Sequence, residues 1–246
     1  MLDLVISETV GRLTVLTLNQ PQTGNALSGA LVASIEAKLD AIVPEACDTI
    51  VFRGAGKGFC GGLDLSNLEA ETDDSLFARL VRIEILLQRI ARLPQMTIAL
   101  VHRFAFGAGA DLAVACRRRI AAPGTRFAFP GVRFGIALGT GRLARCVGPD
   151  RAREFLSRKT PIEHDEALEG GLLTQSLDEP HWPQLIARSG MQCSALDARM
   201  ACIVTERLAS GCDDSDLAAL VRSAAPNGLR NRIEQYVTQT KASCGE

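Results

Sequence analysis

The chain has 246 residues, 47% of them hydrophobic and 22% charged, with a formal net charge of -1. That is length enough for a full core with an appendage, and an ordinary globular mix. The near-neutral charge argues against a nucleic-acid or anionic-membrane partner, no apolar run is long enough to span a bilayer, and residues 2–5 start directly in a strand pattern, so the chain reads as cytoplasmic.

Residues 2–7 and 12–18 predict a hairpin turning at Gly11-Arg12, the second strand alternating apolar residues with Thr. A polar loop, 19–24, leads to a helix over 28–42, with Leu31, Ile35, Leu39 and Ile42 at helical spacing and Ser28 as cap. A strand over 49–53 runs into a Gly-rich loop, 54–65, and then an acidic, polar and mobile stretch, 66–74. A helix over 75–92 ends before Pro94, and a buried strand covers 97–101. A tight turn of small residues, 107–110, opens a helix over 112–116; strands follow at 118–121 and 126–128. Residues 140–157 predict one helix, and another begins at 160 with Pro161 in its first turn. A Gly170-Gly171 turn leads to a short strand near 175, and helices are expected over 183–189, 195–209, 213–223 and 227–240. This alternation implies α/β layers with parallel connections. We divide the chain into a core, 1–185, and a helical C-terminal region, 186–246.

Two stretches carry the chemistry. Both the 54–65 loop and the Gly107-Ala108-Gly109-Ala110 turn pass from a strand through small residues to a helix start, where backbone N–H groups are free and the helix dipole favours negative charge. Two such donors aimed at one point make an oxyanion hole. Gly107-Ala108-Gly109 matches only a fragment of a dinucleotide fingerprint, and Gly56-Lys57-Gly58 lacks the Ser or Thr of a P-loop. Asp111, in the first turn of its helix, can cap that helix, pair with Arg133 or Arg142, or face a substrate from apolar surroundings that would raise its pKa. Asp64 is placed to cap the next helix.

The eight Cys show no CxxC and no metal-ligand spacing with the three His, and read as reduced thiols. Cys60 sits in the Gly-rich loop with no base nearby and reads as packing. Arg117-Arg118-Arg119 reads as a solvated helix end, or as a contact for an acidic partner or cofactor phosphates. Glu69, Glu71 and Asp73 are surface acids within reach of a pocket. His164 reads as exposed, and His102 is assigned no role.

In order and spacing, residues 1–175 resemble the crotonase, or enoyl-CoA hydratase/isomerase, superfamily. The resemblance is carried by the segments 19–27, 59–65, 107–116 and 126–148, which include Asn25, Cys60-Gly61-Gly62-Leu63-Asp64-Leu65, Gly107-Ala108-Gly109-Ala110-Asp111 and Pro130-Gly131. It implies a superhelix of ββα turns with a C-terminal helical oligomerisation region, assembled as a homotrimer or a dimer of trimers. It also implies an acyl-CoA thioester as substrate, with coenzyme A as part of that substrate and no separate cofactor or metal. By position, the oxyanion donors would be the backbone N–H groups of Leu63 and Ala108. Thr23, Gly24, Ala26, Cys60 and Gly61 would run beside the CoA moiety, and Leu63, Asp64, Leu65, Gly107, Ala108, Asp111, Pro130, Gly131 and Leu138 beside the acyl group, with Phe106 and Phe129 near them. Family hydratases use two Glu; here one position is Asp111 and the other is Gly131. Diene isomerases of the family place an Asp at 111, but their other acids would fall on Gly131 and Gly139. A single acid, Asp111, fits double-bond isomerisation or a related enolate reaction, such as that of a lyase. Hydration with an atypical acid set, or a non-catalytic CoA-ester binder, are the alternatives.

Overall fold

The computed structural model describes residues 3–43, 46–191, 200, 203–204 and 213–243, so most of the helix expected over 195–209 lies outside the described residues. Its main sheet runs β1 (Val5–Val10), β2 (Leu13–Leu18), β3 (Thr49–Gly54), β4 (Met96–Val101), β6 (Arg118–Ala121) and β8 (Gln175–Ser176). The first pair is antiparallel and the rest are parallel. A second, smaller layer pairs β5 (Phe104–Phe106) with β7 (Arg126–Ala128). Single bridges extend that layer: Leu27 to Leu63, Cys60 to Ala105, and Phe127 to Ile162.

Four of the main strands, β2, β3, β4 and β6, pass through a short second-layer segment before their helix. β2 leads through Leu27 to α1 (Gly29–Asp40), and β3 through Cys60 and Leu63 to α2 (Asp73–Arg92). β4 leads through β5 to α3 (Ala108–Ala115), and β6 through β7 to α4 (Thr140–Val147). This is the superhelix of ββα turns. β5, which the sequence reading did not place, is the second strand of the third turn.

Strand periodicity builds two cores. In β2, Leu16 and Leu18 face the helices, whereas Leu13 and Val15 face the opposite side. β3 repeats the division with Ile50 and Phe52 against Val51. The outer face is covered by α7 (Trp182–Met191) through Trp182 and Ile186, which is why these strands are buried on both sides. A third cluster joins Leu76 and Leu80 of α2 to Leu220 of α8 (Asp213–Ala224) and to Leu229 and Ile233 of α9 (Leu229–Ser243). The described C-terminal helices thus fold back on α2 of the same chain.

Several expectations are corrected. The helix predicted over 140–157 is two helices, α4 and α5 (Pro149–Ser157), because Gly148 adopts φ 81, ψ 157, a conformation open essentially to Gly alone. Residues 161–162 are extended, Ile162 bridging Phe127, and α6 (His164–Glu169) begins three residues later than Pro161. The 66–74 stretch is built rather than loose: a 3-10 turn (Leu68–Ala70) precedes a Thr72–Ser75 capping box. The Arg run is no solvated helix end. Arg117 donates to the Leu93 and Gln95 carbonyls, and the buried Arg119 donates to Leu172 O (2.6 Å) and Cys116 O (2.9 Å). His164 is buried, not exposed.

Candidate active site

The first two loops are zipped together by Asn25, which is buried with φ 57. Its amide nitrogen donates to the carbonyls of Ala55 (2.9 Å), Gly58 (3.0 Å) and Phe59 (3.2 Å), and its oxygen accepts from Gln20 N–H (2.9 Å). Gly61 N–H donates to Gly24 O at 2.9 Å and Leu27 N–H to Gly62 O at 2.6 Å. The Cys60 thiol donates to Asn25 O, and burial pushes its pKa up to about 12, so it is an inert packing group.

Glycines bring this loop against the start of α3. Gly62 has φ 97, and a Cβ there would lie 2.6 Å from Phe106 O and 3.4 Å from Ala108 N. A Cβ on Gly109 would lie 2.4 Å from Cys60 O. Backbone can pack this closely only where no side chain stands between. Gly62, the neighbour of Leu63, is thereby packed against Ala108, and among the described residues neither the Leu63 N–H nor the Ala108 N–H has a protein acceptor.

Both residues line a cavity of about 500 Å³, together with Gly61, Leu65, Phe106, Gly107, Asp111, Phe129, Pro130, Gly131 and Leu138. Thr23, Gly24, Ala26, Cys60 and Asp64 do not line it. Gly24 lies at its edge through the bond to Gly61, Thr23 is exposed, Ala26 and Cys60 are buried, and Asp64 closes a local turn by accepting from Ser66 N–H at 3.0 Å. Glu71 is taken up by Ser75 and Arg79, while Asp73 accepts from the N–H groups of Gly228 (2.6 Å) and Arg230 (2.8 Å), so neither reaches the cavity.

Asp111 reaches the cavity from the first turn of α3 but does not cap that helix. It is buried, and its Oδ1 has no hydrogen-bond partner among the described residues. It makes no ion pair with Arg133 or Arg142 among the described residues: Arg133 lies 5.1 Å above the Tyr236 ring, and Arg142 is held by Glu84. Burial drives the Asp111 pKa well above the ordinary carboxylate range; the positive charge of Arg142 opposes this, and the negative charges of Glu84 and Asp216 add to it. Gly139 leaves room for the carboxyl, since a Cβ there would sit 2.7 Å from Oδ1. Gly131 presents no acid, and a Cβ on it would meet Ile136 O at 3.2 Å.

Sequence reasoning missed much of the wall. Leu80, Phe134, Ile136, Ile233 and Tyr236 complete it, with Arg126, Arg133 and Lys159 as cations. The only sequence signal for Ile233 was the apolar spacing of α9, and nothing local tied that helix to the 107–111 turn.

Residues 8–182 match the family model described as Enoyl-CoA hydratase/isomerase. The chain is 34% identical over 182 residues to a crotonyl-CoA hydratase of Syntrophomonas wolfei, covering 70% of this chain and 68% of that one. It is 36% identical to a "Probable enoyl-CoA hydratase" of Bacillus subtilis over 65% of this chain, a match that spans 64% of that relative's length. A solved enoyl-CoA hydratase/isomerase-type chain from Bordetella parapertussis superposes with a TM-score of 0.91 at 38% identity, covering 95% of this chain and 98% of that one. Family match, sequence relatives and shared fold agree, and the chain belongs to the enoyl-CoA hydratase/isomerase family, the crotonase superfamily.

Proposed function

We propose that the protein is an acyl-CoA thioester enzyme that moves a double bond along the acyl chain, with Asp111 as its single acid/base. One observation carries this reading: a buried carboxyl with an unpartnered oxygen lines the same cavity as Leu63 and Ala108, whose N–H groups have no acceptor among the described residues. The thioester oxygen would sit between the Leu63 and Ala108 N–H groups. Ionised Asp111 would remove a proton from C2 of a 3-enoyl thioester, and the electrons would move onto the carbonyl oxygen as an enolate. The carboxylic acid so formed would return the proton at C4, leaving the 2-enoyl product. Donors aimed at the enolate oxygen typically contribute about 3 kcal/mol each, and a positioned acid/base about 10²–10⁴-fold in rate.

One carboxyl suffices for this shuttle, whereas adding water needs a second group to activate it, and Gly131 stands at that position. The backbone of Thr23, Gly24, Ala26 and Gly61 would run beside the CoA moiety, and Leu65, Pro130, Gly131 and Leu138 beside the acyl group. A homotrimer or dimer of trimers remains the expected assembly. Hydration is the second reading, favoured by two relatives, the crotonyl-CoA hydratase of Syntrophomonas wolfei and a short-chain-enoyl-CoA hydratase of Clostridium acetobutylicum.

The test is turnover on 2-enoyl, 3-enoyl and dienoyl-CoA thioesters, with products resolved by mass. A shifted double bond at unchanged mass supports the shuttle. Gain of one water supports hydration instead. Binding without turnover across the panel would overturn the enzyme reading. Asp111→Asn is expected to lower turnover by about 10²-fold or more while leaving the thioester Kd nearly unchanged; full turnover by this variant would remove Asp111 from the mechanism.

A further inference from the structure

Behind the cavity lies a buried cluster of charges that the proposed reaction does not use. Arg142 of α4 makes a two-pronged contact with Glu84 of α2, with Nη1 2.9 Å from Oε1. Asp213 and Asp216 of α8 stand 3.7 and 3.6 Å from the same guanidinium. Arg92 pairs with Asp213 from the solvent side, and Gln88 bridges Glu84 Oε1 and Asp213 O, both at 2.9 Å. Among the described residues, Arg142 Nε, Asp213 Oδ1, Asp216 Oδ2 and Asp111 Oδ1 are all buried without a hydrogen-bond partner. One buried cation is therefore divided among several carboxylates, and Asp111 has only its long-range field.

The backbone ties the same groups together. The carboxyl of Asp111 rests against Gly139, and Asp216 Oδ1 accepts from Gly141 N–H at 2.7 Å. A Cβ on Gly141 would lie 2.9 Å from Asp216 Oδ1. Two acids, from α3 and from α8, thus press on successive glycines of the first turn of α4, and the next residue is Arg142.

We propose that Asp216 is a positioning residue for Asp111: it grips the turn of α4 against which Asp111 rests and draws to itself the positive field of Arg142. Docking of α8 thereby sets the charge environment of the reacting carboxyl. Among the described residues, the charges that act on Asp111 across this packing are Arg142 from α4, Glu84 from α2 and Asp216 from α8, while Arg126, Arg133 and Lys159 line the cavity it faces. The inference rests on the reading of Asp111 as the acid/base, and its test separates the two.

Asp216→Asn keeps an oxygen for the Gly141 N–H and removes only the charge. The ionisation of Asp111 is read in two ways: from the acid limb of the pH–turnover profile, and from the pH at which the melting temperatures of wild type and D111N diverge, compared in the presence and absence of D216N. With less competition for Arg142, both midpoints are expected to move to lower pH by roughly half a unit or more. A purely structural role for Asp216 leaves both in place and overturns the proposal. Glu84→Gln applies the same test from the other side of Arg142, with the same direction expected, and serves if D216N does not fold. If the melting midpoint moves while no substrate is turned over, the coupling stands and the reading of Asp111 as acid/base fails.

Discussion

Asp111 is ionised only at a cost, because burial outweighs the distant pull of Arg142. Its folded-state pKa is above the unfolded value, so the folded state holds the proton more tightly. The associated stability is full below the unfolded carboxylate pKa and is lost as pH rises through the folded one. Thermal unfolding across pH should show wild type losing stability over that window relative to Asp111→Asn; parallel curves would contradict the burial argument. Turnover should rise over the same window, since the shuttle starts from the carboxylate. Gly139 matters for the same carboxyl: Gly139→Ala puts a methyl 2.7 Å from Oδ1 at φ 62, and is expected to cost about 1–3 kcal/mol and to lower turnover by displacing Asp111. An unchanged Tm and rate in this variant would place the carboxyl elsewhere.

Elements meet at the site through backbone contacts rather than through long side chains. Asn25 holds the loop before α1 against the loop before α2, and the second loop sets the Leu63 N–H beside the first turn of α3. Asn tolerates φ near 57, where Ala does not, and its amide satisfies carbonyls that Ala would leave buried and unpaired. Asn25→Ala is expected to cost about 3 kcal/mol or more in denaturant unfolding, and to reduce turnover beyond what the lost stability explains, because the Leu63 donor shifts. A variant that keeps wild-type turnover would show that the donor is set by other contacts. The interruption between α4 and α5 is likewise set by the backbone: Gly148 ends α4 and turns the chain into α5, which packs in the same core cluster as α4.

Across the whole molecule, α9, expected only as part of a helical oligomerisation region, lines the cavity. Ile233 and Tyr236 of α9 form wall, Arg232 fastens α9 by donating to Gly135 O (3.0 Å) and Ser223 O (3.1 Å), and Asp73 receives the start of α9 on α2. Ile233 is buried in the cluster that α9 shares with α2 and α8. Ile233→Ala is expected to destabilise by about 2–5 kcal/mol and to raise KM more for long acyl chains than for short ones. Equal effects on all chain lengths would place Ile233 outside the acyl wall.

What the amino-acid order determined was local. Small residues at 107–110 and 61–62 can be read from the chain because a tight turn is made by the residues in it, and the periodicities of β2, β3 and α2 can be read because each element buries its own face. The choice of Leu63 and Ala108 as donors and the catalytic role of Asp111 came from family resemblance, and the fold brings the three residues to one cavity. Only tertiary structure decided the rest. Arg117 and Arg119 look like a solvated charge run until distant segments supply the carbonyls they bind. His164 looks exposed until its surroundings pack over it. Arg142, Glu84 and Asp216 become one cluster only when α2, α4 and α8 dock. The free energy of a turn is fixed by neighbours in sequence, whereas the environment of a buried charge depends on every element packed around it, and no short window of sequence contains those elements.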